Sequence, residues 1–116
     1  MEKERRENKR VQVDVQGELF LGDKTFPATV LNISLGGCLI ETSARPRMRE
    51  IVVLQVRNGM SMERFYVKVA WQSYGQGLGK IGTQFYGMKE EQVNAMVASI
   101  LGISHRHLGE EEKNES

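Results

Sequence analysis

The sequence predicts an all-β fold: a six-stranded antiparallel β-barrel with a C-terminal α-helix packed on it. Six short runs before residue 87 have strand-like apolar patterns, and most of them alternate apolar with polar residues, as strands buried on one face do. Twelve glycines supply turns between the runs. Only the stretch after residue 90 has helical spacing. A closed barrel is favoured because closure removes the sheet edges that promote aggregation.

The first two predicted strands form a hairpin. In residues 11–21, polar residues alternate with the apolar set Val11, Val13, Val15, Leu19 and Leu21. Gly17 within this run predicts a β-bulge or a bend, since glycine offers no side chain for regular packing. A turn at residues 22–24 leads into the second strand, residues 25–33.

Residues 38–41 and 51–57 are the third and fourth predicted strands. The fourth is apolar on both faces, which predicts a central strand or one covered by another element. The loop between these strands carries three arginines, interpreted as solvated: Arg45, Arg47 and Arg49. Asn58-Gly59 is the strongest hairpin signal in the chain and joins the fourth strand to the fifth.

The fifth predicted strand is long, covering residues 62–74, and one of its faces carries Phe65, Val67, Val69 and Trp71. This phase places Trp71 in the core rather than on the surface as a base-stacking platform. The sixth strand covers residues 80–86, and Gly82 leaves a gap on one of its faces.

A single amphipathic helix follows the strands, with apolar residues at helical spacing: Val93, Met96, Val97, Ile100 and Leu101. Glu90 and Glu91 lie in its first turn, where the helix dipole favours acids. Gly102 stands where a glycine commonly ends a helix. We therefore expect residues 104–116 to form a disordered acidic tail.

Composition limits the possible functions. At 116 residues the chain is one domain, and a net charge of +1 implies no bulk attraction to nucleic acid or membrane. Its one cysteine, Cys38, excludes an internal disulfide and is expected to be a buried structural residue. Without a signal peptide or a membrane-length apolar run, a cytoplasmic protein without membrane insertion is expected.

Neither a metal site nor a catalytic site can be assembled from the sequence. His105 and His107 would need further ligands, which the tail does not supply. No carboxylate pair, nucleophile triad or phosphate-binding loop is present, so we expect neither an enzyme nor a bound cofactor.

A polar turn interrupts the apolar strands at residues 32–37, which read Asn-Ile-Ser-Leu-Gly-Gly. Rigid strands on both sides would hold Asn32 and Ser34 in place, and the paired glycines Gly36 and Gly37 allow positive φ and close approach of a ligand to the backbone. Taken alone, the same residues are also those of an ordinary hairpin turn.

Two arginines, Arg6 and Arg10, stand four residues apart just before the first strand. Residues 1–9 are almost entirely charged or amide, which predicts a flexible basic arm. Guanidinium groups pair bidentately with phosphate and with the O6/N7 edge of guanine, so this spacing suits an anionic purine nucleotide. The alternative interpretation is a solvated charged terminus, which the interleaved glutamates favour.

The two motifs together closely resemble those of the PilZ domain family. Arg6 and Arg10 match the family's Arg-x-x-x-Arg, and residues 32–37 match its Asn/Asp-x-Ser-x-x-Gly. Residues 82–85, Gly-Thr-Gln-Phe, and 69–71, Val-Ala-Trp, are also similar to the family. The resemblance covers roughly residues 5 to 101, so residues 10–103 are expected to form the barrel domain.

The resemblance implies a bacterial receptor for cyclic di-GMP, a ligand rather than a cofactor. Arg6 and Arg10 would contact its phosphates and guanine edges, and Asn32 and Ser34 would hydrogen-bond it from the barrel. Arg5 is an added cation that would favour a second ligand molecule. The implied ligand-binding residues are Arg5, Arg6, Arg10, Asn32, Ser34, Gly36, Gly37 and Gly82.

Three functional hypotheses follow. In the first, cyclic di-GMP bridges the arm and the turn, and a partner protein reads the altered surface. In the second, the chain is a ligand-independent adaptor of the same fold, for instance in motility or pilus control. In the third, it is a small oligonucleotide-binding barrel, which the near-neutral charge and few aromatics disfavour.

Overall fold

The structure is a computed structural model that describes the backbone of residues 9–115 and the side chains of residues 9–104. Six strands precede one helix. The strands are β1 (Val11–Leu21), β2 (Lys24–Ile33), β3 (Gly37–Thr42), β4 (Ile51–Asn58), β5 (Ser61–Ser73) and β6 (Gly79–Tyr86), and the helix is α1 (Glu90–Glu115).

The strands close into one antiparallel barrel in the order β1-β2-β3-β6-β5-β4. Closure depends on pairing between β1 and β4, in which Leu19 stands opposite Leu54. Because every strand has a neighbour on both sides, the barrel has no free edge for another chain to pair with. The predicted six-stranded barrel with a C-terminal helix is confirmed.

Alternate residues of the strands fill the barrel. Their side chains are almost entirely buried, and Phe65 and Phe85 meet edge to face with ring centroids 6.0 Å apart. The helix adds Met96 and Ile100 to this core. The largest fully buried strand residues are Leu19, Ile33, Ile40, Leu54 and Ile81.

A break in the register between Gln12 and Val15 places a β-bulge early in β1. Val11 lies before the bulge and is 43% exposed, so it does not join the core as the alternation predicted. The bulge predicted at Gly17 is wrong: Gly17 pairs regularly with Ala28 and Val56. A Cβ at Gly17 would collide with the Gln55 carbonyl oxygen, so glycine allows β1 and β4 to approach closely.

A second bulge reverses the predicted orientation of Trp71. Val69 stands opposite Thr83 and Trp71 opposite Gly82, so two steps along β5 match one step along β6. The extra residue, Ala70, turns the Trp71 side chain out of the barrel, where it is 51% exposed. The prediction that Trp71 belongs to the core is therefore wrong.

Strand β4 is apolar on both faces, as its sequence indicated, and its outer face is covered only in part: Gln55 is buried and hydrogen-bonds Glu18 and Arg64. Val52 and Leu54 are buried in the barrel, whereas Ile51 is exposed and Val53 half-buried on the outside. The end of this face at Ile51 remains exposed in the described chain.

Helix α1 begins as predicted. The Gln92 side chain accepts a hydrogen bond from the Lys89 backbone N–H at 2.7 Å, a contact typical of a helix start. The Ser99 hydroxyl donates to Glu63 at 2.8 Å, which joins the helix to β5. Within the described residues, no helix combines the length and the apolar composition that crossing a bilayer would require.

The predicted helix end at Gly102 is wrong, because α1 continues to Glu115. Residues 104–115, expected to be disordered, have a helical backbone. A glycine inside a helix costs only about 1 kcal/mol relative to alanine, so Gly102 does not by itself stop the helix. The glutamates and the lysine that follow, residues 110–113, are favourable helix formers.

Candidate functional site

The polar turn between β2 and β3 is held by its own hydrogen bonds. The Ser34 backbone N–H donates to the Gly37 carbonyl at 2.9 Å. The Ser34 hydroxyl accepts from the Gly36 N–H at 3.2 Å and donates to the Gly37 carbonyl at 3.4 Å. Because Ser34 is only 4% exposed, its hydroxyl shapes the turn from within.

The absence of a side chain at Gly37 is explained by strand packing. Gly37 stands opposite Gln84 of β6, and a Cβ at this position would lie 2.7 Å from the Thr83 carbonyl carbon. The glycines of the described chain with positive φ are Gly22, Gly59, Gly77 and Gly87, so Gly36 and Gly37 do not use the positive φ that glycine allows. Here glycine lets β3 lie close to β6.

Arg10 is attached to the polar turn. It precedes β1, in which Gln12 pairs with Asn32, and its Nη1 donates to Asn32 Oδ1 at 2.8 Å. Asn32 is 8% exposed, whereas Arg10 is exposed. One residue from each predicted motif therefore meets in a single site. Arg5 and Arg6 lie outside the described residues.

A row of outward-facing positions extends from Asn32 across three more strands. Asn32 pairs with Leu39, Leu39 with Gly82, and Gly82 with Trp71. A Cβ on Gly82 would lie 3.3 Å from the Trp71 Cβ and 3.6 Å from its Cε3, so the indole lies against the bare glycine backbone. The row places an exposed aromatic side chain on the same outer surface as Asn32.

Sequence reasoning missed Trp71 as a surface residue of this site because alternation gives the phase of a strand but not the position of a bulge. The sequence signal that could have indicated an exposed Trp71 was the gap predicted at Gly82. A missing side chain on the outer face leaves room for a large neighbour, and Trp71 takes that room.

Cys38 lies inside the barrel behind the turn. Its Sγ is 3.3 Å from Thr83 Oγ1, and the Thr83 hydroxyl donates to the Cys38 carbonyl at 2.9 Å. Burial raises the pKa of the thiol from 9.0 to about 11, so the protonated form predominates at neutral pH. This arrangement fits the predicted structural role.

Arg45 is exposed, as predicted, and it also makes specific contacts with the backbone. Its Nη2 donates to the Gly77 carbonyl at 2.7 Å and to the Gly75 carbonyl at 3.1 Å. Its guanidinium also lies 4.5 Å from the centre of the Tyr74 ring. These contacts hold the glycine-rich connection between β5 and β6.

Nothing among the described residues forms a metal centre, since no three His, Cys, Asp or Glu side chains come together there. His105 and His107 have side chains outside the described set.

The sequence matches the family model for the PilZ domain over residues 4–102. The chain belongs to the PilZ domain family. PilZ domains are binding and receptor domains rather than enzymes. The match agrees with the two motifs that Arg10 and Asn32 bring together.

Solved PilZ domains have the same fold. The PilZ domain of YcgR from Escherichia coli, with c-di-GMP, has a TM-score of 0.69 at 16% identity, covering 94% of this chain and 98% of that one. A structure of YcgR from Escherichia coli in complex with c-di-GMP has a TM-score of 0.60 at 16% identity, covering 97% of this chain and 51% of that one. The PilZ domain of CeSA, from a cellulose-synthesizing bacterium, scores 0.59 at 14% identity, covering 81% and 96%. No curated protein sequence matches the chain.

Proposed function

We propose that this PilZ domain is a bacterial receptor for cyclic di-GMP and that the ligand bridges the N-terminal arginines and the polar turn. The observation that carries the proposal is the 2.8 Å hydrogen bond from Arg10 to Asn32, which joins the two motifs. Two solved relatives of the same fold, both structures of YcgR, contain c-di-GMP.

Arg10 is the main electrostatic contact in this proposal. One N–H of its guanidinium is bonded to Asn32, and the exposed group has further N–H donors for ligand oxygens. Those donors fit a phosphate or the O6/N7 edge of guanine, and the bond to Asn32 orients the planar group beforehand. Arg5 and Arg6 would add further cations from the N-terminal segment.

The turn and the outward-facing row supply the remaining contacts. Asn32 Oδ1 is occupied by Arg10, so its amide Nδ2 is the group that would donate to the ligand. Ser34, Gly36 and Gly37 fix the shape of the turn that receives it. Trp71 offers an exposed indole face to a guanine base beside Gly82, and base stacking of this kind contributes about 1–3 kcal/mol.

Calorimetric titration with cyclic di-GMP tests this function, with GTP and a short oligonucleotide as comparison ligands. A receptor should bind cyclic di-GMP far more tightly than either comparison ligand. Binding of none of them would favour a ligand-independent adaptor, and preference for the oligonucleotide would overturn the proposal. The effect of the ligand on a partner protein is the second half of the proposal, in which binding alters a surface that the partner reads.

A further inference from the structure

The outer wall of the barrel carries an aromatic stripe that the ligand site does not use. The stripe consists of Phe20, Val53, Tyr66 and Tyr86, which are direct register neighbours on four consecutive strands, β1, β4, β5 and β6. Tyr66 is 57% and Tyr86 46% exposed. Tyr66 and Tyr86 are direct cross-strand neighbours, so they expose two adjacent side chains of the residue type that anchors protein interfaces.

A basic pocket adjoins the stripe along the same strands. It has a volume of about 230 Å³ and is lined by Met48, Arg49, Lys68, Val69, Ala70 and Gln84. Lys68 and Gln84 each stand two residues along their strand from a stripe tyrosine, on the same outer face. This lining contains two cations and no acid, and the cross-strand neighbours of Lys68, Ile51 and Gln84, are uncharged.

The stripe ends at the polar turn. The N–H of Phe85, the residue before Tyr86, donates to the Gly36 carbonyl at 3.2 Å, so the backbone beside Tyr86 is bonded to the turn. Gln84, which lines the basic pocket, pairs with Gly37. The surface formed by the stripe and the pocket therefore begins where the proposed ligand site ends.

We propose that the aromatic stripe and the basic pocket together dock an acidic segment of a partner protein. An aromatic or aliphatic side chain of that segment packs on Tyr66 and Tyr86, and a carboxylate enters the pocket between Arg49 and Lys68. Charge complementarity selects an acidic occupant, because Arg49 and Lys68 line the pocket and no acid does. The idea that cyclic di-GMP controls this docking rests on the proposed function. The docking of an acidic segment does not depend on it.

A peptide selection on the full chain tests the inference without a known partner. Random twelve-residue peptides are displayed and selected on the immobilised protein, and one enriched peptide is synthesised for titration. The enriched sequences should combine aromatic or aliphatic residues with Asp or Glu. The peptide should bind with micromolar affinity, as expected for a small interface. Its binding should also perturb the NMR signals of backbone amides in β4, β5 and β6 around Tyr66.

Variants separate docking from a structural role of the same residues. The double variant Tyr66→Ser/Tyr86→Ser should bind the peptide at least tenfold more weakly, whereas Met60→Ser, at a 99% exposed hairpin position, should not. Lys68→Glu leaves Arg49 as the one cation of the pocket lining beside a new acid, so the selection should lose its preference for acidic peptides while Tyr66 and Tyr86 still select aromatic or aliphatic ones, a result that loss of folding cannot produce. Thermal unfolding of each variant confirms that the barrel is intact.

The inference is overturned if selection yields no apolar-acidic peptides, if the perturbed amides lie elsewhere, or if the tyrosine variant binds as the parent does. It is also overturned if the tyrosines mediate a concentration-dependent dimer in sedimentation. Titration with cyclic di-GMP gives a separate result: failure of the parent to bind it would overturn the proposed function while the peptide result stands.

Discussion

At the scale of single residues, the contact that organises the site is the bond between Arg10 and Asn32. Asn32 is nearly buried, and its side-chain Oδ1 accepts a hydrogen bond from the charged guanidinium of Arg10. A charge-assisted bond of this kind is stronger than a neutral one and restricts the guanidinium. The structure thus holds one exposed arginine in a fixed orientation before any ligand arrives.

Replacing Arg10 with Ala should weaken cyclic di-GMP binding by about 1–3 kcal/mol, because it removes both the ligand contact and the partner of Asn32. Arg10→Lys should recover only part of the loss, since an ammonium lacks the planar fork. Calorimetry measures the affinity of both variants for cyclic di-GMP. The matched control is Arg57→Ala, which removes an exposed arginine from β4. Unchanged affinity in Arg10→Ala would contradict the assignment.

The chain contains one tryptophan, so its fluorescence reports on Trp71 alone. If a guanine stacks on the exposed indole, adding cyclic di-GMP should quench or shift the emission with the same midpoint as calorimetric binding. Trp71→Ala should lose about 1–3 kcal/mol of binding with little loss of stability, because the ring is half-exposed. Calorimetric binding without any change in emission would place the ligand away from Trp71.

The pKa of Cys38 predicts an alkaline loss of stability. Its thiol has a pKa of about 11 in the folded chain and 9.0 ordinarily, so it ionises first in the unfolded chain. Stability from this group is complete below pH 9 and falls by about 2–3 kcal/mol as pH rises to 11. Urea unfolding across this range should show a steeper decline in the parent than in Cys38→Ala. Parallel curves for the two proteins would refute this assignment.

At the scale of elements, strands were predictable but their registers were not. Apolar runs, most of them alternating, located all six strands, and helical spacing located the start of the helix. The bulge in β1 left Val11 exposed, and the bulge in β5 reversed the expected orientation of Trp71. The motifs identified the turn, but the reason for Gly37 lies in Thr83, a neighbour distant in sequence that only the fold reveals. Local helix signals likewise failed at Gly102, which a continuing helix tolerates.

Two glycines of the site should respond differently to alanine. Gly37→Ala forces a Cβ into the β6 backbone, which cannot move without breaking strand pairing, so the melting temperature should fall sharply. Gly82→Ala meets only the Trp71 side chain, at 3.3 Å, so the barrel should remain folded while the displaced indole weakens ligand binding. Thermal unfolding and calorimetry on both variants distinguish these outcomes. Equal stability losses would mean that the two positions are packed alike.

At the scale of the whole molecule, a closed barrel is a rigid support whose surface carries two adjoining regions. The proposed ligand site lies along β2, β3, β6 and β5, and the aromatic stripe continues around β6, β5, β4 and β1. A barrel with no free edge and a packed core offers little internal movement for a signal. A ligand is therefore expected to act by adding its own atoms, and the N-terminal segment, to the outer wall.

The N-terminal segment should decide ligand binding without contributing to barrel stability. Residues 1–9 contain Arg5 and Arg6 but, apart from Met1, no apolar side chain to bury. At ligand concentrations a hundredfold above Kd, binding stabilises the folded chain by about 2.7 kcal/mol, which should raise the parent's melting temperature by several degrees. A chain lacking residues 1–9 should melt at nearly the parent's ligand-free temperature and show no shift with cyclic di-GMP. A full shift in the truncated chain would assign binding to Arg10 and the barrel alone. A lower ligand-free melting temperature would instead reveal a structural role for the segment.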